Sequence, residues 1–197
     1  MLRVLRILLW ALVVTGLAGA GTYFYLGQEK GPVLPLVTIG GPFKLAATTG
    51  ETIDSTSLKG EPFAVFFGFT HCPEVCPTTL YEMSSTLGKL GEDAKNLKVF
   101  FVTVDPERDT LDFMKSYLTS FDPRIIGLRP GDAELAEIAR TYRVFYERAP
   151  TSDGGYTMNH TALVYLMDRE GRFFGTLDYE ETPEMRLTKL KRLLKEG

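Results

Sequence analysis

The chain has 197 residues, 44% apolar and 24% charged, which is enough to fill one core and too apolar for a disordered tail. The first 26 residues hold Arg3 and Arg6 and no acid, so the remaining 20 basic groups (22 less these two) face 25 acidic ones, a balance of −5 that argues against a nucleic-acid partner. Two cysteines and two histidines exclude a disulfide-stapled scaffold and an all-cysteine zinc cage.

Ile7 to Leu26 contains no charged side chain, and 20 such residues make a helix of about 30 Å, the hydrocarbon thickness of a bilayer. Residues 1–27 are therefore predicted to be a transmembrane anchor. Arg3 and Arg6 precede the span, and positive flanks stay on the cytoplasmic side. The expected location is the cytoplasmic membrane, single-pass, with the C-terminal domain on the periplasmic (extracytoplasmic) side. The competing reading is a cleaved secretory signal ending at Ala18-Gly19-Ala20, but apolar character resumes from Tyr23 to Leu26. Both readings export the domain. Residues 28–41, with Gly31-Pro32, Pro35 and Gly40-Gly41, read as a linker, and 42–197 as the folded domain.

From Phe43 the pattern alternates short strands with helices. Phe43 to Ala47 and Thr52 to Asp54 suggest a small hairpin, Pro62 to Phe69 a buried strand, and Pro77 to Leu90 a helix. A second buried strand is predicted over Leu97 to Val104, followed by helices from Thr110 to Phe121 behind an Asp109 N-cap and from Ala133 to Tyr142 behind Asp132. Strands over Ala162 to Met167 and Arg172 to Leu177 flank a turn at Asp168 to Gly171, and a helix from Pro183 to Lys195 follows a Thr182 N-cap. Near-continuous apolar strands joined through helices imply an α/β fold, a central mixed sheet covered on both faces.

Both cysteines and one histidine lie in the segment Phe69-Thr70-His71-Cys72-Pro73-Glu74-Val75-Cys76-Pro77-Thr78-Thr79, beyond the carboxyl end of a strand, where α/β sheets carry their sites. Thiols at this spacing can close a disulfide or share one metal ion. Pro77 fits the first helical turn, which leaves Cys72 to Cys76 in the loop ahead, with Cys76 at a helix N-terminus where the dipole favours a thiolate. A permanent disulfide closing so short a loop would remove little unfolded-chain entropy, so a working role is favoured. Two soft thiolates select a soft ion such as Cu(I), and an imidazole would complete the set. His160, expected to open the strand Ala162 to Met167, is the candidate; His71 is expected to point away from the site that Cys72 faces.

The blocks FFGFTHCPEVCPTTL (Phe66 to Leu80), VTVDPERDT (Val102 to Thr110) and YTMNHTALVYLMD (Tyr156 to Asp168) resemble the three signature blocks of the Sco/SenC family, membrane-tethered copper chaperones for cytochrome c oxidase assembly. The resemblance covers essentially the whole chain. It implies a thioredoxin-like fold and copper, as Cu(I) and Cu(II), held by two cysteines and a histidine that map onto Cys72, Cys76 and His160. It also implies cytochrome c oxidase subunit II, with its dinuclear copper centre, as the recipient, and a copper donor protein or a thioredoxin-like reductant as further partners. Where the thioredoxin family at large carries a cis-proline, this chain has Asn159-His160-Thr161, which suits a metal site better than disulfide exchange.

Asp105, ending a strand before Pro106, is expected at the same sheet edge, either orienting a ligand or pairing with Arg108, while Asp109 reads as an N-cap. Met158 reads as packing. Two further activities compete with the chaperone. A thiol:disulfide oxidoreductase would cycle Cys72 and Cys76 through a reversible disulfide to keep the recipient's cysteines reduced. Val75-Cys76-Pro77-Thr78-Thr79 also resembles the peroxiredoxin motif, with Cys76 attacking peroxide and Cys72 resolving it, although that likeness ends after five residues.

Overall fold

The computed structural model describes residues 2–26 and 38–197, and the chain divides into two compact units, Met1–Val37 and Thr38–Gly197. In the first, Leu2–Leu26 is a single helix, α1. Its Leu2–Tyr23 stretch has a mean hydropathy of 1.9 and no residue buried within the unit, so it is long and apolar enough to cross a membrane. It starts ahead of the predicted Ile7 and takes in Arg3 and Arg6, and Ala18-Gly19-Ala20 lies within it. Residues 28–37 of the predicted linker lie outside the described residues; Gly40, near its end, donates its N–H to the Thr141 carbonyl at 2.8 Å.

The second unit is built on a seven-stranded sheet. In chain order its elements are β1 (Lys44–Ala47), β2 (Thr52–Asp54), β3 (Phe63–Gly68), α2 (Val75–Leu90), β4 (Lys98–Thr103), α3 (Leu111–Leu118), β5 (Ile125–Arg129) and α4 (Asp132–Tyr142). Then follow β6 (Tyr146–Pro150), β7 (Tyr156–His160), β8 (Val164–Met167), β9 (Phe173–Leu177) and α5 (Pro183–Glu196). The sheet order is β2-β1-β5-β4-β3-β8-β9, while β6 and β7 form a separate two-stranded sheet. β3 runs parallel to β4, and β4 to β5; β1, β8 and β9 pair antiparallel with their neighbours.

β3 is buried at every position, because both faces of the sheet are covered. On one face Phe66 packs against Phe101, and Phe101 against Tyr117 of α3. On the other, Phe67 meets Tyr142 of α4 and Tyr165 of β8, and Phe63, Phe100 and Phe43 form an edge-to-face triad. Such aromatic pairs add about 0.5–1.5 kcal/mol each beyond their buried area. α5 lies beside α2, and the buried Arg186 bonds Glu82 across that contact.

The parallel run β3-β4-β5 places the carboxyl ends of β3 and β4 at one edge, with the cysteine segment after the first and Asp105 to Asp109 after the second. Four expectations need correction. Helix α2 starts at Val75, two residues before Pro77. The N-cap of α3 is Thr110, whose hydroxyl accepts the Phe113 N–H, and not Asp109, and that of α4 is Gly131, with Asp132 already inside the helix. His160 closes β7 instead of opening β8, because Tyr156–His160 pairs with β6. Three strands are not foreshadowed by the sequence pattern. Two are β6 and β7. The third is β5, where a Cβ at Gly127 would sit 2.7 Å from Thr48 Cγ2 and 3.0 Å from Met114 Cε; the glycine that allows this packing also disguises the strand.

Candidate functional site

At Gly68, the last residue of β3, a Cβ would lie 2.7 Å from the Phe101 ring and 3.0 Å from Cys76 Sγ. Glycine there lets the Cys76 sulfur pack against the strand. Cys76 is fully buried and Cys72 half-buried, and both are free thiols. Pro77 is the third residue of α2, where a missing N–H costs nothing because first-turn donors have no intrahelical acceptor. Glu74, at the N-cap, contributes no side-chain cap. Instead Cys72 Sγ accepts the Cys76 N–H at 3.3 Å.

That contact reverses the expected roles of the two sulfurs. The Cys72 thiol is pulled down to about 4 from a usual 9.0, first by a hydrogen bond from the Cys76 thiol, with the Cys76 and Glu74 amides adding to it and burial opposing. Cys76, donating to that thiolate and buried, is pushed up well beyond the usual thiol range. The helix N-terminus therefore supports a thiolate on Cys72, whereas the sequence pointed to Cys76. Because the folded value of Cys72 lies below the unfolded one, its ionised form is populated throughout the neutral range and lost only as pH falls through about 4. Alkylation of the reduced chain by iodoacetamide is expected to modify Cys72 alone. Its rate should stay nearly flat from about pH 8 to pH 5 and then fall, as the thiolate does; mapping the adduct by mass spectrometry checks both points, and a rate that drops through pH 8–9 contradicts the assignment.

His160 lies 84 residues beyond Cys76, yet its Nε2 is 3.6 Å from Cys76 Sγ. Nδ1 sits 3.0 Å from the Thr161 carbonyl, which only accepts, so Nδ1 carries the proton and Nε2 presents a lone pair towards the sulfur. The imidazole is held edge-on to Phe69, ring centroids 5.8 Å apart. Donors bonded to one ion at roughly 2.0–2.3 Å stand about 3.4–3.8 Å apart at trigonal or tetrahedral angles, so the sulfur–nitrogen spacing fits a shared ion. The donor set, two sulfurs and one imidazole, is soft. Among the described residues no three His, Cys, Asp or Glu side chains form a closed cage; Cys72 Sγ accepts the Cys76 N–H, and Cys76 Sγ faces His160. A cleft of about 370 Å³, lined by Phe69, Cys72, Pro73, Met158 and His160 among others, opens onto these groups. A cleft of about 350 Å³ between β1–β2 and α4 has neither cysteine nor histidine in its lining.

His71 turns elsewhere, as expected: its ring stacks on Phe113 at 5.4 Å, and Nδ1 is 3.1 Å from Thr70 Oγ1. Met158 lines the cleft and packs on the core. Asp105, almost fully buried, is paired with Arg108 and accepts the Tyr156 hydroxyl at 3.1 Å.

Asp109 is the residue the sequence misjudged. It is completely buried, accepts the Thr70 N–H at 3.0 Å and the Thr103 hydroxyl at 2.6 Å, and bonds the Thr70 hydroxyl. It thus ties the segment after β3 to the end of β4. Thr103 also accepts the Asp105 N–H at 2.9 Å, and Arg129 of β5 donates to the Asp109 and Pro106 carbonyls at 3.1 and 2.8 Å. The signal was available: Asp109-Thr110 offers two adjacent capping residues, and only one can cap. Tyr156 and Arg148, which join this network from the β6–β7 hairpin, gave no sequence signal.

The SCO1/SenC family profile matches residues 34–195. The chain belongs to the SCO1/SenC family. A SCO2-like protein of Rickettsia conorii is 32% identical over 185 residues, 88% of this chain and 90% of its own length. The mitochondrial SCO1 homolog 1 of Arabidopsis thaliana is 36% identical over 149 residues, 75% of this chain but only 45% of that longer relative. ScoI of Bradyrhizobium japonicum, solved with copper bound, is 51% identical with a TM-score of 0.73, covering 79% of this chain and 99% of that one. The central mixed sheet with its flanking helices is accordingly the thioredoxin-like fold of the SCO1/SenC family.

Proposed function

We propose that this SCO1/SenC protein is a membrane-tethered copper chaperone that takes copper onto Cys72, Cys76 and His160 and passes it to the dinuclear centre of cytochrome c oxidase subunit II. In this reading residues 1–27 anchor the chain in the cytoplasmic membrane, 28–41 are the linker, and 42–197 form the copper domain on the extracytoplasmic side. The observation that carries it is the approach of His160 Nε2 to Cys76 Sγ at 3.6 Å, with Nδ1 already committed to a carbonyl. Copper is cargo here. Cu(I) is served by the two sulfurs, whereas Cu(II) additionally draws on the imidazole. Cys72 is the ligand at the cleft, so an incoming thiolate of the recipient displaces it first, while buried Cys76 and His160 hold the ion until exchange is complete. Relatives solved with copper bound support the same cargo.

One observation favours a second activity at the same residues: an accessible Cys72 thiolate beside a buried Cys76 is the asymmetry a thiol:disulfide oxidoreductase uses. The peroxidase reading is weakened, because Cys76 is buried and its thiol held protonated, and the Thr79 hydroxyl is bonded to the Val75 carbonyl.

Mixing the copper-loaded full chain in detergent with reduced, metal-free subunit II separates the two readings. The chaperone is expected to build the recipient's dinuclear-centre absorption and to lose its own copper. If no copper moves but the metal-free chain reduces an oxidised recipient, the oxidoreductase reading replaces it.

A further inference from the structure

The third donor sits on an element that is not part of the central sheet. His160 ends β7 of the β6–β7 hairpin, and an isolated two-stranded hairpin is marginal in water. Something else must fix His160 relative to Cys76. Among the described residues, the hydrogen bonds from this hairpin to the elements packed on it run through Tyr156, Arg148 and His160 itself. The Tyr156 hydroxyl donates to Asp105 at 3.1 Å, and its carbonyl accepts from Arg108 Nη1 at 3.0 Å. Its ring lies between two guanidinium groups, Arg108 at 3.8 Å and Arg148 at 3.9 Å from the centroid. Arg148 is in turn paired with Glu107, and Arg108 with Asp105. Both acids belong to the segment after β4, whose Asp109 holds Thr70 of the cysteine segment. Arg108 also lies 5.9 Å over the Phe69 ring, the ring that meets His160 edge-on.

We propose that Tyr156, clamped between Arg108 and Arg148 and bonded to Asp105, is a positioning residue that docks the β6–β7 hairpin and thereby sets His160 against Cys76. Tyr156 and His160 are four residues apart on one strand, so they share a face, and a side chain locked at one end constrains where the other end sits. The copper consequence rests on the reading of His160 as the donor that Cu(II) adds; the docking itself does not.

The test uses the full chain in detergent with Tyr156→Ala, Tyr156→Phe and, should the alanine variant fail to fold, Arg148→Gln, which removes one face of the stack from a half-exposed position. Without metal, amide exchange over residues 156–160 should accelerate at least about tenfold in Tyr156→Ala, with the His160 imidazole resonances shifted and β3 and β4 exchanging as in the parent chain. Tyr156→Phe keeps both cation–π faces and should stay within about threefold of the parent. With metal, Tyr156→Ala should lose about tenfold in Cu(II) affinity relative to Cu(I). Unchanged exchange over 156–160, or an increase shared equally by β3 and β4, overturns the docking role. Faster exchange confined to the hairpin in a chain that takes up no copper leaves the docking standing and removes the copper reading alone.

Discussion

Replacing Asp109 with alanine is expected to destabilise the domain by about 3 kcal/mol, because it leaves the Thr70 N–H and the Thr70 and Thr103 hydroxyls without an acceptor in a fully buried site. The hydroxyls can rotate to other partners; the Thr70 amide cannot. Asp109→Asn keeps one carbonyl oxygen, and its amide can donate to a hydroxyl that turns to accept, so its cost should be nearer 1 kcal/mol. Urea unfolding of the two variants beside the parent chain measures the difference as a shift in midpoint at constant slope. The effect should reach the site as well. Thr70 is the second residue of the turn in which Cys72 N–H donates to the Phe69 carbonyl, so Asp109→Ala should blunt the pH-insensitive alkylation of Cys72, whereas Asp109→Asn should preserve it. Equal unfolding midpoints for the alanine variant and the parent would mean that Asp109 is not the tie between β3 and β4.

The second large effect concerns the sulfurs. Cys72→Ser/Cys76→Ser is expected to lower Cu(I) affinity by at least about three orders of magnitude, since hydroxyls are hard donors and a single imidazole cannot replace two thiolates. His160→Ala should behave differently: Cu(I) retained within about tenfold, and the Cu(II)–thiolate charge-transfer band lost, because Cu(II) is the state that needs nitrogen. Competition against a Cu(I) chelator, with visible absorption of the Cu(II) form, resolves the two variants. Folding should survive in each, as serine is close in volume to cysteine and His160 is only partly buried.

The chemistry-bearing segment was legible because its residues are rare and adjacent: both cysteines and a histidine occur within six positions. The strands around it were legible because FAVFFG and KVFFVT are continuous apolar runs, as a sheet covered on both faces requires. His160 was one of only two histidines and became the candidate because His71 was expected to point away; resemblance strengthened that choice, since nothing in local sequence relates positions 76 and 160. β6 and β7 were missed for a physical reason. Their sequences, YERAP and YTMNH, show no apolar alternation, because cation–π contacts and ion pairs dock the hairpin alongside the packing of Tyr146 and Met158. Asp109 was misassigned because a helix-capping aspartate and a buried acceptor look alike in one dimension; the adjacent Thr110 hinted that it need not cap, and the Thr70 and Thr103 hydroxyls show what it does instead.

One copper ion is expected to be shared by Cys72, Cys76 and His160. The most direct test is X-ray absorption at the copper edge on the loaded full chain, beside His160→Ala. Two sulfur neighbours and an imidazole in the parent Cu(II) form, with the imidazole scattering gone in the variant, is the expected result. A shell of nitrogen and oxygen without sulfur, or an imidazole signal that survives in His160→Ala, would contradict it.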